Sequence, residues 1–139
     1  MRKIIIIVLS LFIFNPKSYS ENNYLSVGIE LYENKKYMEA KFKFEQEIVR
    51  NPKSEISYLY LAKIFKIQKK DELLERNLDT TILINPRNEE ALYELILLKI
   101  KKSDFLESES LINKFNLICE KMCTKKDYLV KLRQNSLKK

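Results

Sequence analysis

The chain has 139 residues, with 26 Lys and Arg against 19 Asp and Glu, a formal net charge of +7 and 45% hydrophobic residues. That length holds one domain, and the lack of His in the sequence removes the usual general base and the commonest metal ligand. One Gly and three Pro are too few turn-formers for a protein of many hairpins, so the composition points to helices joined by short connections.

The chain opens on Met1-Arg2-Lys3, a short basic start, followed by an almost unbroken apolar run from Ile4 to Phe14. Asn15-Pro16 stops any helix there, and Ser18 and Ser20 supply small residues where a signal peptidase reads. Residues 1–20 are therefore expected to be a signal peptide, cleaved after Ser20. The apolar run falls short of the roughly 20 residues needed to cross a bilayer, so no stable membrane span is expected after cleavage. No Cys lies between Asn15 and Tyr24, and the usual lipid-attachment site is missing. The expected destination is the periplasm or cell envelope of a bacterium, a source to which the abundance of Lys, Asn and Ile also points. The leader carries Arg2, Lys3 and Lys17 and no acid, which leaves 23 basic against 19 acidic residues, or +4. So modest an excess does not argue for nucleic acid as a partner.

Beyond the leader, a first helix is expected over 22–33, with Tyr24, Leu25, Val27, Ile29, Leu31 and Tyr32 interrupted by Gly28. A lone Gly inside a helix costs about 1 kcal/mol relative to Ala, so Gly28 is expected where a neighbouring helix comes close. Asn34-Lys35-Lys36 turns into a second helix, Tyr37 to Arg50, striped by Ala40, Phe44 and Ile48. Asn51-Pro52 ends it. Ser54 is the expected N-cap of a third helix, Glu55 to Gln68, with Tyr58, Leu61, Ala62 and Phe65 on one stripe. Lys69-Lys70 turns into a fourth, opened by Asp71-Glu72 and carrying Leu74, Leu78 and Ile82 up to Asn85-Pro86. Asn88 caps a fifth, Glu89 to Lys101, and Ser103-Asp104 leads to a sixth, Phe105 to about Cys119. Thr124 and Asp127, at capping-box spacing, announce a last helix with Tyr128, Leu129 and Leu132.

The two Asn-Pro stops lie 34 residues apart, and the pattern behind them repeats at that period. These residues resemble the tetratricopeptide repeat (TPR), a 34-residue helix-turn-helix unit. Three units fit, 21–54, 55–88 and 89–122, followed by a capping helix over 124–137. The family's large residue at position 4 is matched by Tyr24, Tyr58 and Leu92, and its small residue at position 8 by Gly28 and Ala62. The small residue at position 20 is matched by Ala40 and Ser108, the large one at 24 by Phe44, Leu78 and Ile112, and the Pro at 32 by Pro52 and Pro86. The departures are Leu74 at position 20 of the second unit and, in the third, Ile96 at position 8 with no Pro. The resemblance covers residues 21–137 and implies an all-α fold, a right-handed superhelix of three units with a capping helix. It also implies that a protein or peptide partner lies in the concave groove.

In the family, positions 2, 5, 9, 12 and 13 contact such a partner. Here the resemblance brings forward Leu25, Ile29 and Tyr32, then Leu59, Lys63 and Lys66, then Tyr93, Leu97 and Ile100. The family's Lys and Asn pair that holds a C-terminal carboxylate is replaced by Leu25 and Ile29, so that mode does not carry over. An apolar groove with two lysines suits an extended or helical segment with apolar anchors, whereas the alternative is that these side chains simply pack on one another or on the last helix. The acids at helix starts and the lysines at helix ends complement the helix dipole without any ligand.

Cys119 and Cys123 stand where the third Asn-Pro is missing. At i, i+4 on a continuous helix their Cβ atoms would be about 5–6 Å apart, too far for a disulfide, so a bridge requires the sixth helix to end near Cys119. Bridged and reduced states both remain open. Two thiols without His leave a zinc ion short of ligands, and no metal or cofactor is expected. There is no Gly-rich phosphate loop and no Ser or Cys in a nucleophile context, so no catalysis is expected. The sequence reads as an exported, non-catalytic scaffold that binds a protein or peptide, within an envelope complex. The alternatives are an outer-membrane assembly accessory component and a self-assembling structural protein, a homo-oligomer whose third unit is completed by a second copy.

Overall fold

The computed structural model describes residues 23–138; the leader expected over residues 1–20 lies outside them. Seven α-helices follow one another among the described residues: α1 (Tyr24–Glu33), α2 (Tyr37–Arg50), α3 (Glu55–Ile67), α4 (Asp71–Ile84), α5 (Glu89–Lys101), α6 (Phe105–Ile118) and α7 (Lys126–Leu137). A short 3-10 turn, Cys123–Lys125, precedes α7. Each helix packs on the next, while α1 also reaches α3 and α5 also reaches α7. The chain is thus an all-helical, TPR-like superhelix of three helix pairs closed by a seventh helix.

The start signals act as expected in part. Asn23 and Asn88 cap α1 and α5 by accepting the N–H of Ser26 and Ala91 at 3.0 and 2.9 Å, and Asp104 caps α6 through Glu107 at 3.2 Å. Ser54 occupies its N-cap position without capping, because its hydroxyl bonds the hydroxyl of Ser57 at 2.8 Å instead. Thr124 does not begin α7 either; it lies inside the 3-10 turn, and Lys125 precedes the helix with no side-chain cap.

Inside each helix pair the turn follows one plan. Lys35, Lys69 and Ser103, each 34 residues after the last, have φ of 60°, 56° and 62°. The left-handed region costs a side-chain-bearing residue roughly 1–2 kcal/mol, which Gly avoids. Lys69→Gly is therefore expected to raise the thermal midpoint by a few degrees, equivalent to about 1 kcal/mol. A lowered midpoint would mean that the Lys69 side chain contributes more than its backbone costs.

Packing explains the rest of the period. Ala40, Phe44, Ala62 and Leu78 are almost wholly buried in one core cluster between the first two units. A second cluster forms from Leu92, Ile96, Ile100, Ile112, Phe115 and Leu129. Leu61, Leu95 and Leu129 form a 34-residue series of side chains 5%, 2% and 0% exposed, each pressing its helix onto the preceding unit. The series continues into α7, which therefore packs on the third unit as the first helix of a further unit would. At the opposite end the same position is Val27, 40% exposed, flanked by exposed Glu30.

Gly28 marks the close approach anticipated from its place in α1. A Cβ built there would lie 2.7 Å from Cε1 of Phe44. The ring that fills this space also stacks on Tyr60, with centroids 5.0 Å apart.

Candidate functional site: the concave cleft

On the concave side, α1, α3 and α5 bring together a cleft of about 540 Å³ lined by Tyr32, Lys63, Lys66, Ile67, Glu90 and Glu94. Three of these, Tyr32, Lys63 and Lys66, are groove residues expected from the sequence. A smaller depression of about 140 Å³ adjoins it through Lys66 and Glu94 and takes in Leu97 and Leu98. Among the remaining expected positions, Leu59 and Ile100 are buried, 7% and 5% exposed. They belong to the two core clusters and do not line an open groove. Leu25 and Ile29 pack against the first cluster, and Tyr93 against the second, with its ring 6.5 Å from that of Phe115. All three are half-buried, as are Tyr32 and Leu97, which pack against the same clusters.

Each lysine of the cleft has a glutamate from the next unit. Lys63 Nζ lies 2.8 Å from Glu90 Oε1 and 4.7 Å from the Tyr60 ring centroid, so its ammonium sits between a carboxylate and an aromatic face. Lys66 Nζ pairs with Glu94 Oε2 at 2.5 Å. The Tyr32 ring meets those of Tyr37 and Tyr60 edge-on, at centroid distances of 5.4 and 5.0 Å. Burial pushes the Tyr32 phenol above its ordinary pKa, so it remains a neutral hydrogen-bonding group. The floor is therefore aromatic, the wall carries two Lys–Glu pairs, and Ile67 projects at 47% exposure as an apolar contact. The cleft thus offers alternating charge beside apolar surface, which suits the side chains and backbone of a peptide.

Glu90 and Glu94 were missed in the sequence because they read as ordinary helix-start and surface acids. The available signal was register: Glu90 stands at position 2 of its unit, one of the partner-contacting positions, opposite the lysines of the unit before.

A second cluster of charges ties α4, α5 and α6 together. Lys99, whose side chain is only 9% exposed, reaches Glu75 at 2.6 Å and Glu107 at 2.5 Å, and Lys102 also bonds Glu75. Burial alone would lower the Lys99 pKa, but hydrogen bonds to Glu107 and Glu75 outweigh it and raise the value. Hydrogen bonds from Lys102 and Lys99 hold the Glu75 carboxyl below its ordinary 4.5.

The loop after α6 is organised around another carboxylate. Glu89 accepts the backbone N–H groups of Glu120 at 3.0 Å, Lys121 at 3.1 Å and Met122 at 2.7 Å. Its burial would raise the pKa, but the N–H groups of Lys121, Glu120 and Met122 overcome this and lower it. The helix ends at Ile118, Cys119 is extended, and a disulfide joins Cys119 to Cys123 with Cα atoms 5.3 Å apart. This meets the geometric condition that the spacing imposed, since the chain leaves the helix before the second sulfur arrives. Closing so short a loop is worth about 2 kcal/mol in the chain-entropy account. Reduction is expected to speed amide exchange at residues 120–122 while leaving α1 to α4 unchanged, as read by hydrogen-exchange mass spectrometry. Unchanged exchange at 120–122 would show that Glu89 alone organises the loop.

The two carboxylates also set a pH dependence. Both Glu75 and Glu89 have folded values below 4.5, so the stability they add is complete above that pH and is lost as the pH falls through the folded values. Asp79, pushed upward by partial burial, offsets some of this. Urea midpoints are expected to drop below about pH 4.5, and to drop less in Glu75→Gln. A Glu75→Gln profile parallel to the parent would contradict the assignment.

No protein-family model matches the chain, and no curated protein matches it. Solved structures do. The chain is similar to the Yersinia enterocolitica type III secretion translocator chaperone SycD, at 15% identity over 84% of each chain with a TM-score of 0.73. It is similar to the first TPR of Spaghetti (RPAP3) bound to the HSP90 peptide SRMEEVD, at 15% identity over 81% of this chain and 89% of that one, TM-score 0.68. It also resembles the Sgt2 TPR domain from Aspergillus fumigatus, at 15% identity over 81% and 76% of the two chains, TM-score 0.66. At such identity the likeness establishes the TPR-like fold.

Proposed function

We propose that this TPR-like chain is a non-catalytic scaffold that holds a peptide segment of a protein partner in the cleft between α1, α3 and α5. The observation that carries the reading is the cleft itself, where Tyr32, Ile67 and the Lys63–Glu90 and Lys66–Glu94 pairs face one open space. Two structural neighbours support it. SycD has been crystallised with a peptide of the translocator YopD, at 13% identity to this chain and a TM-score of 0.69, and the RPAP3 repeat holds an HSP90 peptide. In this reading the occupant has a small apolar side chain for Ile67 and flanking charges of both signs for the lysines and glutamates. The envelope setting is part of the same proposal: the basic-apolar run over residues 1–14 supports a bacterial envelope complex as the place where the scaffold acts.

Pull-down from envelope extract with crosslinking tests the cleft. Lys66 and Ile67 are exposed and can be changed without touching the core, unlike Leu25, Ile29 or Tyr93. Lys66→Glu combined with Ile67→Asp is expected to lose the partners of the parent protein while keeping its helical circular dichroism. Recovery of the same partners by the folded double variant would refute the proposal.

A further inference from the structure

The net positive charge of the chain beyond the leader is concentrated at one end. Residues 121–139 carry Lys121, Lys125, Lys126, Lys131, Arg133, Lys138 and Lys139 against the single acid Asp127, a net +6. Residues 21–120 hold 16 basic and 18 acidic residues, a net −2. The chain beyond the leader is thus a slightly acidic body with a basic C-terminal segment, a sign asymmetry that points to an interaction surface.

The structure separates the basic groups of α7 and its two flanks into two sets. Lys126 donates to the Asn116 carbonyl at 3.0 Å, and Arg133 pairs with Glu109 at 2.5 Å, so both hold α7 against α6. Lys125, Lys131 and Lys138 are exposed and make no ion pair among the described residues. Apolar side chains stand between them: Tyr128 is 50% exposed, Val130 37% and Leu137 51%. Val130-Lys131 and Leu137-Lys138 lie seven residues apart, two helical turns, so the apolar-basic pair recurs on one side of α7. None of the cleft linings given above includes an α7 residue.

We infer that the outer face of α7, together with Lys125 and Lys138 at its two ends, is a docking surface for an anionic phospholipid bilayer. Lysines that make no ion pair among the described residues outnumber the one acid on this face, Asp127, and supply charge complementarity, while tyrosine with short aliphatics supplies the shallow apolar contact that an interfacial helix makes. An acidic peptide is the weaker fit, because the outer side of a packed helix offers no groove to enclose it. The acidic body would turn away from such a surface, leaving the concave cleft open to its partner.

Vesicle co-sedimentation of the full chain tests the surface. The probes are phosphatidylcholine vesicles with and without phosphatidylglycerol, at low and high salt. The chain is expected to prefer the anionic vesicles and to lose that preference at high salt. Changing Lys125, Lys131 and Lys138 together to Glu should weaken binding by about a hundredfold. A control with the same change of net charge, Lys36, Lys53 and Lys70 to Glu, should stay within about fivefold of the parent. All six lysines are exposed and make no ion pair among the described residues, so both variants are expected to keep the parent's helical circular dichroism, which is measured alongside. Equal binding to both vesicle types would mean that apolar insertion, as by the leader, does the work. Equal losses in the two variants would mean that net charge alone acts, and absence of binding to anionic vesicles would leave an acidic protein as the partner of this face. Each of these three results overturns the inference.

Discussion

Replacing Phe44 with Ala is expected to destabilise the protein by about 3–5 kcal/mol, the usual range for emptying a fully buried aromatic site. Phe44 is 0% exposed, stacks on Tyr60 of the next unit and fills the space opposite Gly28, so it joins α1, α2 and α3 at one point. The same contact makes a sharper prediction for Gly28. In an unconstrained helix Gly→Ala gains about 1 kcal/mol. Here the new methyl would approach three Phe44 ring atoms at 2.7, 3.0 and 3.1 Å, and the ring is held by its stack on Tyr60. Overpacking of this kind costs about 1–3 kcal/mol, so Gly28→Ala is expected to be net destabilising in urea titration. Phe44→Leu should be tolerated better in the Gly28→Ala background than in the parent. A Gly28→Ala protein more stable than the parent would show that the ring can move aside.

Leu129→Ala is expected to cost about 2–5 kcal/mol, and to do so at one end of the molecule. Leu129 is 0% exposed and packs in the cluster of Leu92, Ile96, Ile112 and Phe115. Removing its side chain loosens α7, the helix that covers the third unit, and uncovers that apolar surface to water. In a repeat array each unit leans mainly on its neighbours, so amide exchange should rise first in α7, α5 and α6 and last in α1 and α2. Uniform acceleration along the chain, or an unchanged urea midpoint, would contradict the capping role of α7.

Much of this architecture is legible in the sequence, because the residues that make it recur with the repeat. The Asn-Pro stops at Asn51 and Asn85 end α2 and α4, and the helix boundaries follow the apolar stripes to within about two residues. Gly28 stands out as the one Gly in the chain, and its neighbour proves to be Phe44. What was not legible depends on which flank of a helix the next unit covers. Leu59 and Ile100 share register with groove positions, yet adjacent helices bury them. Tyr32, Lys63 and Lys66 share the same logic and stay open to the cleft. The Lys63–Glu90 and Lys66–Glu94 pairs join residues 27 and 28 apart, a distance no helix-face rule inspects. Lys99 reads as a helix-end lysine, although its ammonium is enclosed by Glu75 and Glu107 from two other helices. Local chemistry also misled at Ser54 and Thr124, where a hydroxyl bond to Ser57 and a 3-10 turn replaced the expected caps.

The concave cleft is the centre of the functional reading, and site-specific photo-crosslinking tests it most directly. A photoreactive residue at Ile67 would sit inside the cleft, and one at Leu83, 81% exposed on α4 and absent from the cleft lining, would sit outside it. Cells carrying the Ile67 probe are expected to yield a discrete protein adduct that Lys66→Glu abolishes, and the Leu83 probe is expected to yield none of that mass. The same adduct from Leu83, or an Ile67 adduct indifferent to Lys66→Glu, would contradict a partner bound in the cleft.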